Sequence, residues 1–582
     1  MWNCNTREIP IHIKPVFSKA LTVGTNVALF KQRTREEVNM DLLLINGQVY
    51  TMNQKDEMYD AVAINDGKIE KLGSTDEILA LRTEDTAIID LKGKAAIPGF
   101  NDSHMHLLSY GYSKQIVYLD GCRSLAELQS RVANFIKYEK VEAGQWVEGR
   151  GWDQNEFDVK EIPTRLELDQ ISANIPIVLG RTCGQMCIAN TKALETLDLL
   201  KPQQEMEHGT VIADGNQIPT GIFTGEAINL IYGRLPKLGT EKIKGSILRA
   251  CEEYVTAGIT SLQTDDFELK RAGTPEDVLK AYFELDGEGS LPLRVNLMMY
   301  LPTAEDIQKI LDMGYKTGYG SPFFRIGPCK TDTDGSLGGR TAALEEDYSD
   351  EPGNRGEIYF DRGELEKMVT LAYENQCQFV CDAIGDRALN MVIDAYSRVL
   401  ESDRENKYRF GIDHCQITNP EILNRFKEYN LTAGLELGFV MSDIYIAEER
   451  LGRERARHAY NWKSFVDAGL HCAAGSDNPV EPFEPLHGIY AAVTRRNWDG
   501  EPENGWLPEQ KLSVKEAVRM FTSGSAFATF EEGVKGTLDE GKYADVAVLS
   551  KDIFQADIDE IPNIKVEATI VNGRVVFENI SN

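Results

Sequence analysis

The sequence predicts an α/β protein, a (β/α)8 TIM barrel with a small β-sandwich domain built from both ends of the chain. Eight candidate strands, separated in several places by amphipathic helical stretches, lie near residues 95–100, 258–264, 293–300, 324–331, 377–383, 408–414, 431–437 and 470–476. Parallel strands joined by helices close most simply into a cylinder, whose active site lies at the carboxyl ends of the strands. Strand-rich segments at both ends of the chain predict the second domain.

Asn-Gly and Asp-Gly turns connect the terminal strands. The dipeptide at 46–47, the tripeptide at 65–67 and the dipeptide at 572–573 each separate two apolar runs, so each predicts a tight β-hairpin. Because neither end is large enough for a good core of its own, we predict one shared sheet domain. Two independent caps are the alternative.

The predicted boundaries place an extension at 1–39, the first part of the sandwich at 40–94, the barrel at 95–530 and the second part of the sandwich at 531–582. Residues 107–257 are too many for one crossover, so we predict an insertion that helps to shape a pocket.

The N-terminal extension is basic and carries few acids, a composition that transit peptides share. Its basic residues are Arg7, Lys14, Lys19, Lys31, Arg33 and Arg35. The preferred hypothesis is a dispensable extension or a start codon set too early, because Met40 directly precedes the first convincing strand.

The composition is that of a globular, acidic chain of 582 residues with a formal net charge of -30. Such a surface repels nucleic acid and anionic membranes, which argues against both as partners. No run of about 18 apolar residues occurs, so no membrane span is expected. The ten cysteines form no C-x-x-C pair and fit a reducing, cytoplasmic location. A small-molecule substrate is the expected partner, and a homodimer is left open.

Two histidines follow the first predicted barrel strand. If that strand ends near Phe100, His104 and His106 emerge at its carboxyl end and point the same way, because residues separated by one share a side of extended backbone. Two imidazoles aimed at one point suit a divalent ion such as zinc. The alternative is a pair of hydrophilic loop histidines.

Polar residues recur where later strands should end. Lys330 ends one strand, Asp382 the next, His414 the one after and Asp477 the last. Each alone is an ordinary residue of a strand terminus. Together with the two histidines, they form a nitrogen and oxygen ligand set that converges on one face of the barrel.

Several motifs give the chain a resemblance to a known family. They are Pro98–His106 (PGFNDSHMH), Asp334–Leu344 (DGSLGGRTAAL), Ala383–Ala388 (AIGDRA), Gly475–Val480 (GSDNPV) and Gly536–Asp545 (GTLDEGKYAD). The chain resembles the metal-dependent amidohydrolase superfamily, and within it amidohydrolase family 3, which includes N-substituted formamide deformylases. The likeness runs from about Asp41 to Asn579 and is specific to the family but weak on substrate.

The resemblance implies one or two divalent metal ions, with zinc expected. It makes His104, His106 and His414 metal ligands, and Asp477 a ligand that also handles the proton. Lys330 falls where the family often has a carboxylated lysine that bridges two metals. The alternative is an unmodified ammonium in a salt bridge to Asp332 or Asp334.

Two positions depart from the family pattern. Asp382 stands where relatives usually have a histidine ligand; it can still bind metal but is shorter and anionic. Gln185 stands where relatives usually have a histidine that points at the substrate, and it keeps hydrogen bonding without the proton switch.

The resemblance predicts a hydrolase of a non-peptide carbon–nitrogen bond, in an amide, formamide or cyclic amide, that acts through a metal-activated water. Asp477 is the predicted catalytic residue. Arg340 either holds an anionic substrate or oxyanion, or forms an ion pair with a neighbouring acid. His471, Asp413 and Asp386 are assigned supporting rather than catalytic roles. A non-hydrolytic lyase or isomerase on the same barrel is the alternative, and a binding protein that has lost activity is a third option.

Overall fold

The computed structural model describes residues 40–203, 206 and 209–579. The predicted N-terminal extension lies outside these residues. Nowhere in the described chain is there a helix with the length and apolar character needed to cross a membrane.

The eight-stranded parallel barrel is confirmed. Its strands follow one another in sequence order and are Phe100–Met105, Ile259–Asp265, Arg294–Tyr300, Phe324–Asp332, Phe379–Ala383, Gly411–His414, Thr432–Glu436 and His471–Gly475. The last strand meets the first through two backbone hydrogen bonds: Asp477 N donates to His104 O over 2.7 Å, and His106 N donates to Asn478 O over 2.8 Å. The chain segments that carry the predicted ligands therefore meet where the cylinder closes.

Helices connect the barrel strands and also occur in the inserted and terminal segments. The described α-helices are Thr75–Leu79, Leu107–Ser113, Leu125–Tyr138, Arg165–Asp169, Thr191–Thr196, Asn229–Tyr232, Thr240–Tyr254, Pro275–Gly287, Ala304–Asp312, Arg362–Glu374, Asp386–Leu400, Pro420–Glu428, Val440–Asp443, Ala447–Ala456, Trp462–Asp467, Pro485–Thr494, Val514–Arg519 and Ser525–Ala528.

The first predicted strand, 95–100, is in fact two strands in two sheets. Ala95–Pro98 pairs with Val546–Leu549 in a terminal sheet, and the barrel strand begins at Phe100. Gly99 joins them where no side chain fits, because an added Cβ would lie 2.1 Å from Thr260 Cγ2. The prediction that the histidines follow the strand is therefore wrong for His104, which lies inside it.

The two ends of the chain form a shared pair of sheets, as predicted. One sheet has the order Arg574–Glu578, Val566–Val571, Val546–Leu549, Ala95–Pro98, Gln48–Tyr50 and Met58–Tyr59. The other has the order Lys68–Gly73, Ala61–Asn65, Leu42–Ile45 and Ala87–Asp90. Leu44, Val62, Val546 and Ile570 share one buried core, so residues from both termini stabilise the same domain.

The turn predictions have different outcomes. Hairpins form at 65–67 and 572–573, where the strands on either side pair directly. The hairpin at 46–47 is wrong, because Leu42–Ile45 and Gln48–Tyr50 lie in different sheets. Asn46 has a positive φ of 54°, but Gly47 does not share it, so the primed turn of a hairpin is not formed.

The long segment after the first barrel strand carries a sheet of its own. Its order is Gly209–Ala213, Pro219–Gly225, Met186–Ala189, Ile177–Arg181, Val147–Trp152 and Val117–Tyr118. One helix before these strands in the sequence, Leu107–Ser113, and one after them, Thr240–Tyr254, contribute buried residues to the barrel core. The domain boundaries given above remain a prediction.

Arg294 ties the barrel to the terminal sheets. It begins the third barrel strand, is 2% exposed, and donates from Nε and Nη2 to the Asp545 carboxylate over 2.7 and 3.0 Å. Nη2 also donates to Asn572 Oδ1 over 3.1 Å, and the guanidinium lies 3.9 Å from the centre of the Tyr543 ring. Loss of one partner of such a pair leaves a buried charge uncompensated.

We expect Arg294→Met to lower the free energy of unfolding by about 3 kcal/mol, because Asp545 loses its buried counter-ion. Urea unfolding followed by circular dichroism measures the change. Arg404→Met is the matched control: it removes exposed ion pairs with Glu401 and Glu428 and should leave the free energy of unfolding almost unchanged. Equal losses in the two variants would contradict the role of Arg294.

Candidate metal centre

The two histidines of the first barrel strand converge on Asp477. His104 is 1% exposed, and its Nε2 lies 3.3 Å from Asp477 Oδ1. His106 Nε2 lies 2.9 Å from the same oxygen. One carboxylate oxygen thus faces two imidazoles, and the structure brings these three predicted site residues together.

Asp477 owes its position to the closure of the barrel. It follows the eighth strand with a positive φ of 56°, and its backbone amide is bonded to the first strand at His104. Burial raises the pKa of the Asp477 carboxyl, but the hydrogen bonds and charges of His104 and His106 outweigh burial and hold the pKa well below its usual value. The carboxylate is therefore ionised at neutral pH.

The pKa values of the two imidazoles shift in opposite directions. Burial and the nearby Lys330 ammonium lower the pKa of His104, which keeps the ring in the neutral form that binds metal. Burial also disfavours a charged His106, but Asp477 and Glu268 overcome it and raise the His106 pKa to about 10. Metal binding at His106 must therefore release a proton.

Lys330 lies at the centre of the cluster and is fully buried. Its Nζ is 2.9 Å from His104 Nδ1, 3.1 Å from Asp382 Oδ2 and 3.4 Å from Asp265 Oδ2. Burial lowers the pKa of Lys330, but the surrounding carboxylates, led by Asp382, hold it well above its usual value. An unmodified lysine is charged here.

The salt bridges suggested for an unmodified Lys330 are wrong in their partners. Lys330 pairs with Asp382 and Asp265, whereas Asp334 accepts backbone hydrogen bonds from three amides of two neighbouring loops. Their donors are Ala343, Ile384 and Gly385, at 2.7, 2.9 and 2.9 Å. Asp334 therefore fixes the loop after the fourth strand to the end of the fifth.

His414 connects the fifth, sixth and seventh strands. Its Nε2 lies 3.4 Å from Asp382 Oδ2, and its Nδ1 lies 2.9 Å from Glu436 Oε2. Glu436 ends the seventh strand, is buried, and was missed in the sequence. A carboxylate behind a histidine fixes the ring and leaves its other nitrogen for a metal.

We expect Glu436→Gln to weaken divalent metal binding by about 10- to 100-fold, because the amide holds the His414 ring less firmly. Competition against a chromophoric chelator measures the affinity. Glu428→Gln, which changes an exposed glutamate paired with Arg404, is the control and should leave the affinity unchanged. An unchanged affinity in Glu436→Gln would remove this role.

The donor atoms fit a divalent cation. One nitrogen or oxygen each from His104, His414 and Asp477 lie within 4.8 Å of one another, and so do those from His104, Asp382 and Asp413. Within the described chain, Asp382 Oδ1 and Asp413 Oδ2 are buried without a hydrogen-bond partner. Buried oxygens left in this state are stabilised by a cation, and a mixed nitrogen and oxygen set suits zinc and its neighbours. Asp413, assigned a supporting role from sequence, belongs to this cluster.

The two predicted substrate-binding residues form their described hydrogen bonds with residues other than these metal donors. Arg340 donates to Asp350 Oδ2 from Nη2 over 2.7 Å and from Nε over 3.2 Å, which is the ion pair given above as the alternative. Gln185 is exposed in a turn of the inserted sheet, and its backbone carbonyl accepts a hydrogen bond from Gly225 N. Substrate binding by either residue remains a prediction.

Comparison with known proteins identifies the family. The model of the amidohydrolase family matches residues 87–577. The chain belongs to the amidohydrolase family. As a member it is a metal-dependent hydrolase, which agrees with the donor set at the strand ends and confirms the family named from the motifs.

Several known proteins resemble the chain over most of its length. A putative amidohydrolase, YtcJ, of Bacillus subtilis is 28% identical over 91% of this chain and 98% of its own. An N-substituted formamide deformylase of Arthrobacter pascens is 23% identical over 92% and 98%. The crystal structure of an uncharacterized metal-dependent hydrolase from Pyrococcus furiosus is 28% identical, with a TM-score of 0.73 over 88% of this chain and 100% of the other.

Proposed function

We propose that the protein hydrolyses a non-peptide carbon–nitrogen bond in an amide, formamide or cyclic amide. The observation that carries the proposal is the Asp477 carboxylate, which is ionised, buried and shared between His104 and His106. A carboxylate in this position can take a proton from water and return it to a leaving nitrogen. The formamide deformylase among the relatives supports the inclusion of formamides.

The proposed metal is zinc, as one or two ions held by His104, His106, His414 and Asp477, with Asp382 as a further ligand. A bound divalent ion polarises a substrate carbonyl and lowers the pKa of water toward ~7. Asp477 supplies the proton acceptor, and Glu436 orients His414. Asp102, buried below the histidines, accepts backbone hydrogen bonds from His104 and Ser476 and so keeps the first and eighth strands in register.

We propose that Lys330 is carboxylated when two ions are bound. Carboxylation replaces an ammonium by an anion with two oxygens, and Lys330 Nζ already lies among the donors of His104 and Asp382. Intact-protein mass spectrometry of metal-loaded and metal-free samples tests for the added group. A lysine of unchanged mass in the loaded protein would contradict this part of the proposal.

A cytoplasmic enzyme with a small-molecule substrate is the proposed setting, and a homodimer is the proposed assembly. The described cysteines are free and all but Cys183 are buried, which suits a reducing compartment. Light scattering of the purified protein tests the assembly.

The test of the reaction is an assay panel. The zinc-loaded enzyme is incubated with N-acyl amines, N-substituted formamides and cyclic amides, and the released amine is measured. We expect turnover of at least one class. Retention of stoichiometric metal with no hydrolysis anywhere in the panel would contradict the proposal.

A further inference from the structure

Carboxylates exceed cations around the candidate metal centre. The group consists of Asp265, Glu268, Asp332, Asp382, Asp413 and Asp477. Among the described cationic side chains, only that of Lys330 contacts it, apart from the histidines. Six carboxyl groups therefore surround one lysine, and carboxylation of Lys330 would remove that cation.

Asp265 marks the inner edge of this excess charge. It ends the second barrel strand and is 1% exposed. Neither of its carboxylate oxygens has a hydrogen-bond partner in the described part of the protein, although Oδ2 lies 3.4 Å from Lys330 Nζ. A buried carboxylate that is incompletely satisfied is stabilised by a further cation.

Glu268 and Asp332 extend the acidic group toward solvent. Glu268 Oε2 lies 3.5 Å from His106 Nδ1, and its side chain is 34% exposed. Asp332 ends the fourth strand two residues after Lys330, so both side chains lie on the inner side of the barrel. No hydrogen bond or ion pair of the Asp332 carboxylate occurs among the residues described, and it is partly exposed.

Tyr300 ends the third strand, between the strands that carry Asp265 and Asp332. Burial, followed by the charges of Asp332 and Glu268, raises the pKa of its hydroxyl. Two arginines that follow these strands in the sequence have other partners: Arg271 pairs with Glu148, and Arg340 pairs with Asp350.

We propose that the acidic mouth of the barrel, formed by Asp265, Glu268 and Asp332, selects amide substrates that also carry a cationic group, as an N-acylated diamine does. Glu268 and Asp332 bind the ammonium, and Asp265 adds to the field behind them. The net charge of -30 raises the local concentration of cations and favours their encounter with the site. The inference rests on the proposed carbon–nitrogen hydrolysis at the same centre.

Three substrates of equal length test the inference: an N-acyl diamine with a free ammonium, an N-acyl alkylamine and an N-acyl amino acid with a free carboxylate. We expect kcat/KM to be at least about tenfold higher for the cationic substrate than for the neutral one, and lowest for the anionic one. The preference should shrink with added salt, because salt screens exposed charges.

Glu268→Gln and Asp332→Asn should each lower the ratio of kcat/KM for the cationic substrate to kcat/KM for the neutral one several-fold, mainly through the KM of the cationic substrate. Metal content is measured in each variant. Glu276→Gln is the matched control: it removes an exposed charge on the helix Pro275–Gly287 and should leave the preference intact.

Equal kcat/KM for the cationic and neutral substrates would overturn the inference and leave the proposed hydrolysis standing. If none of the three substrates is hydrolysed, calorimetric titration of the zinc-loaded enzyme with an alkyl diammonium ion still decides. Binding that weakens in Glu268→Gln supports the acidic mouth, and absence of binding overturns it.

Discussion

Asp477→Asn should lower kcat by on the order of 10³-fold, because the amide cannot accept the proton that the carboxylate takes. The change keeps the size of the side chain and its hydrogen bonding toward the histidines, so the fold should persist. Steady-state kinetics on the best substrate of the panel measure the loss. KM should change little, because the proton is transferred in the reaction rather than on binding.

Two controls accompany this prediction. Zinc content must stay near that of the wild type, since Asp477 is also a proposed ligand and loss of the ion would lower kcat for a different reason. Asp312→Asn, an exposed aspartate that accepts a hydrogen bond from Gln308, should leave kcat unchanged. A zinc-loaded Asp477→Asn enzyme with wild-type kcat would exclude Asp477 as the proton acceptor.

The barrel, and the meeting of the candidate ligands at the ends of its strands, could be predicted because both follow from patterns in the sequence. Apolar strands alternate with amphipathic stretches, and polar residues follow the strands at one end. His104, Lys330, His414 and Asp477 are far apart in sequence, yet each lies at or near the carboxyl end of its strand. Strand direction alone therefore brings them together.

The carboxylates that the sequence left unassigned show the limit of this reasoning. Asp265 and Glu436 also end barrel strands, but the sequence does not give the side of the cylinder on which a terminal residue lies. Glu268 comes three residues after its strand, in a loop whose path is set by tertiary contacts. Its approach to His106 follows from folding rather than from local pattern.

The hairpin predicted from the Asn-Gly dipeptide at 46–47 is wrong for a related reason. The Asn-Gly dipeptide at 46–47 has the composition of a hairpin, but Gly47 packs so closely on Leu91 that an added Cβ would lie 2.2 Å from its Cδ1. The two adjoining strands join different sheets of the sandwich. Packing between sheets therefore overrides the preference of the dipeptide, whereas at 572–573 the same dipeptide joins neighbouring strands of one sheet.

Removal of the metal should abolish hydrolysis and lower the stability of the protein. An ion that binds only the folded chain stabilises it by about 4 kcal/mol at 1,000 times its Kd, so chelation should shift the thermal midpoint down by several degrees. His104 and His414 lie on the first and sixth strands and Asp477 follows the eighth, so loss of the ion removes a link across the closure of the barrel. Differential scanning calorimetry and the amine-release assay follow both effects in the same sample.

Zinc added back should restore the activity and the midpoint together. His104→Gln is the matched variant: it removes the ligand that both donor clusters share, and chelation should no longer shift its midpoint. The outcome tests the proposed hydrolysis against the two alternatives given from the sequence. Hydrolysis that is lost on chelation and restored by zinc supports the hydrolase; a metal-dependent midpoint without hydrolysis favours a lyase or isomerase. A thermal midpoint that does not change on chelation would favour a binding protein, because the buried carboxylates around Lys330 would then be balanced without an ion.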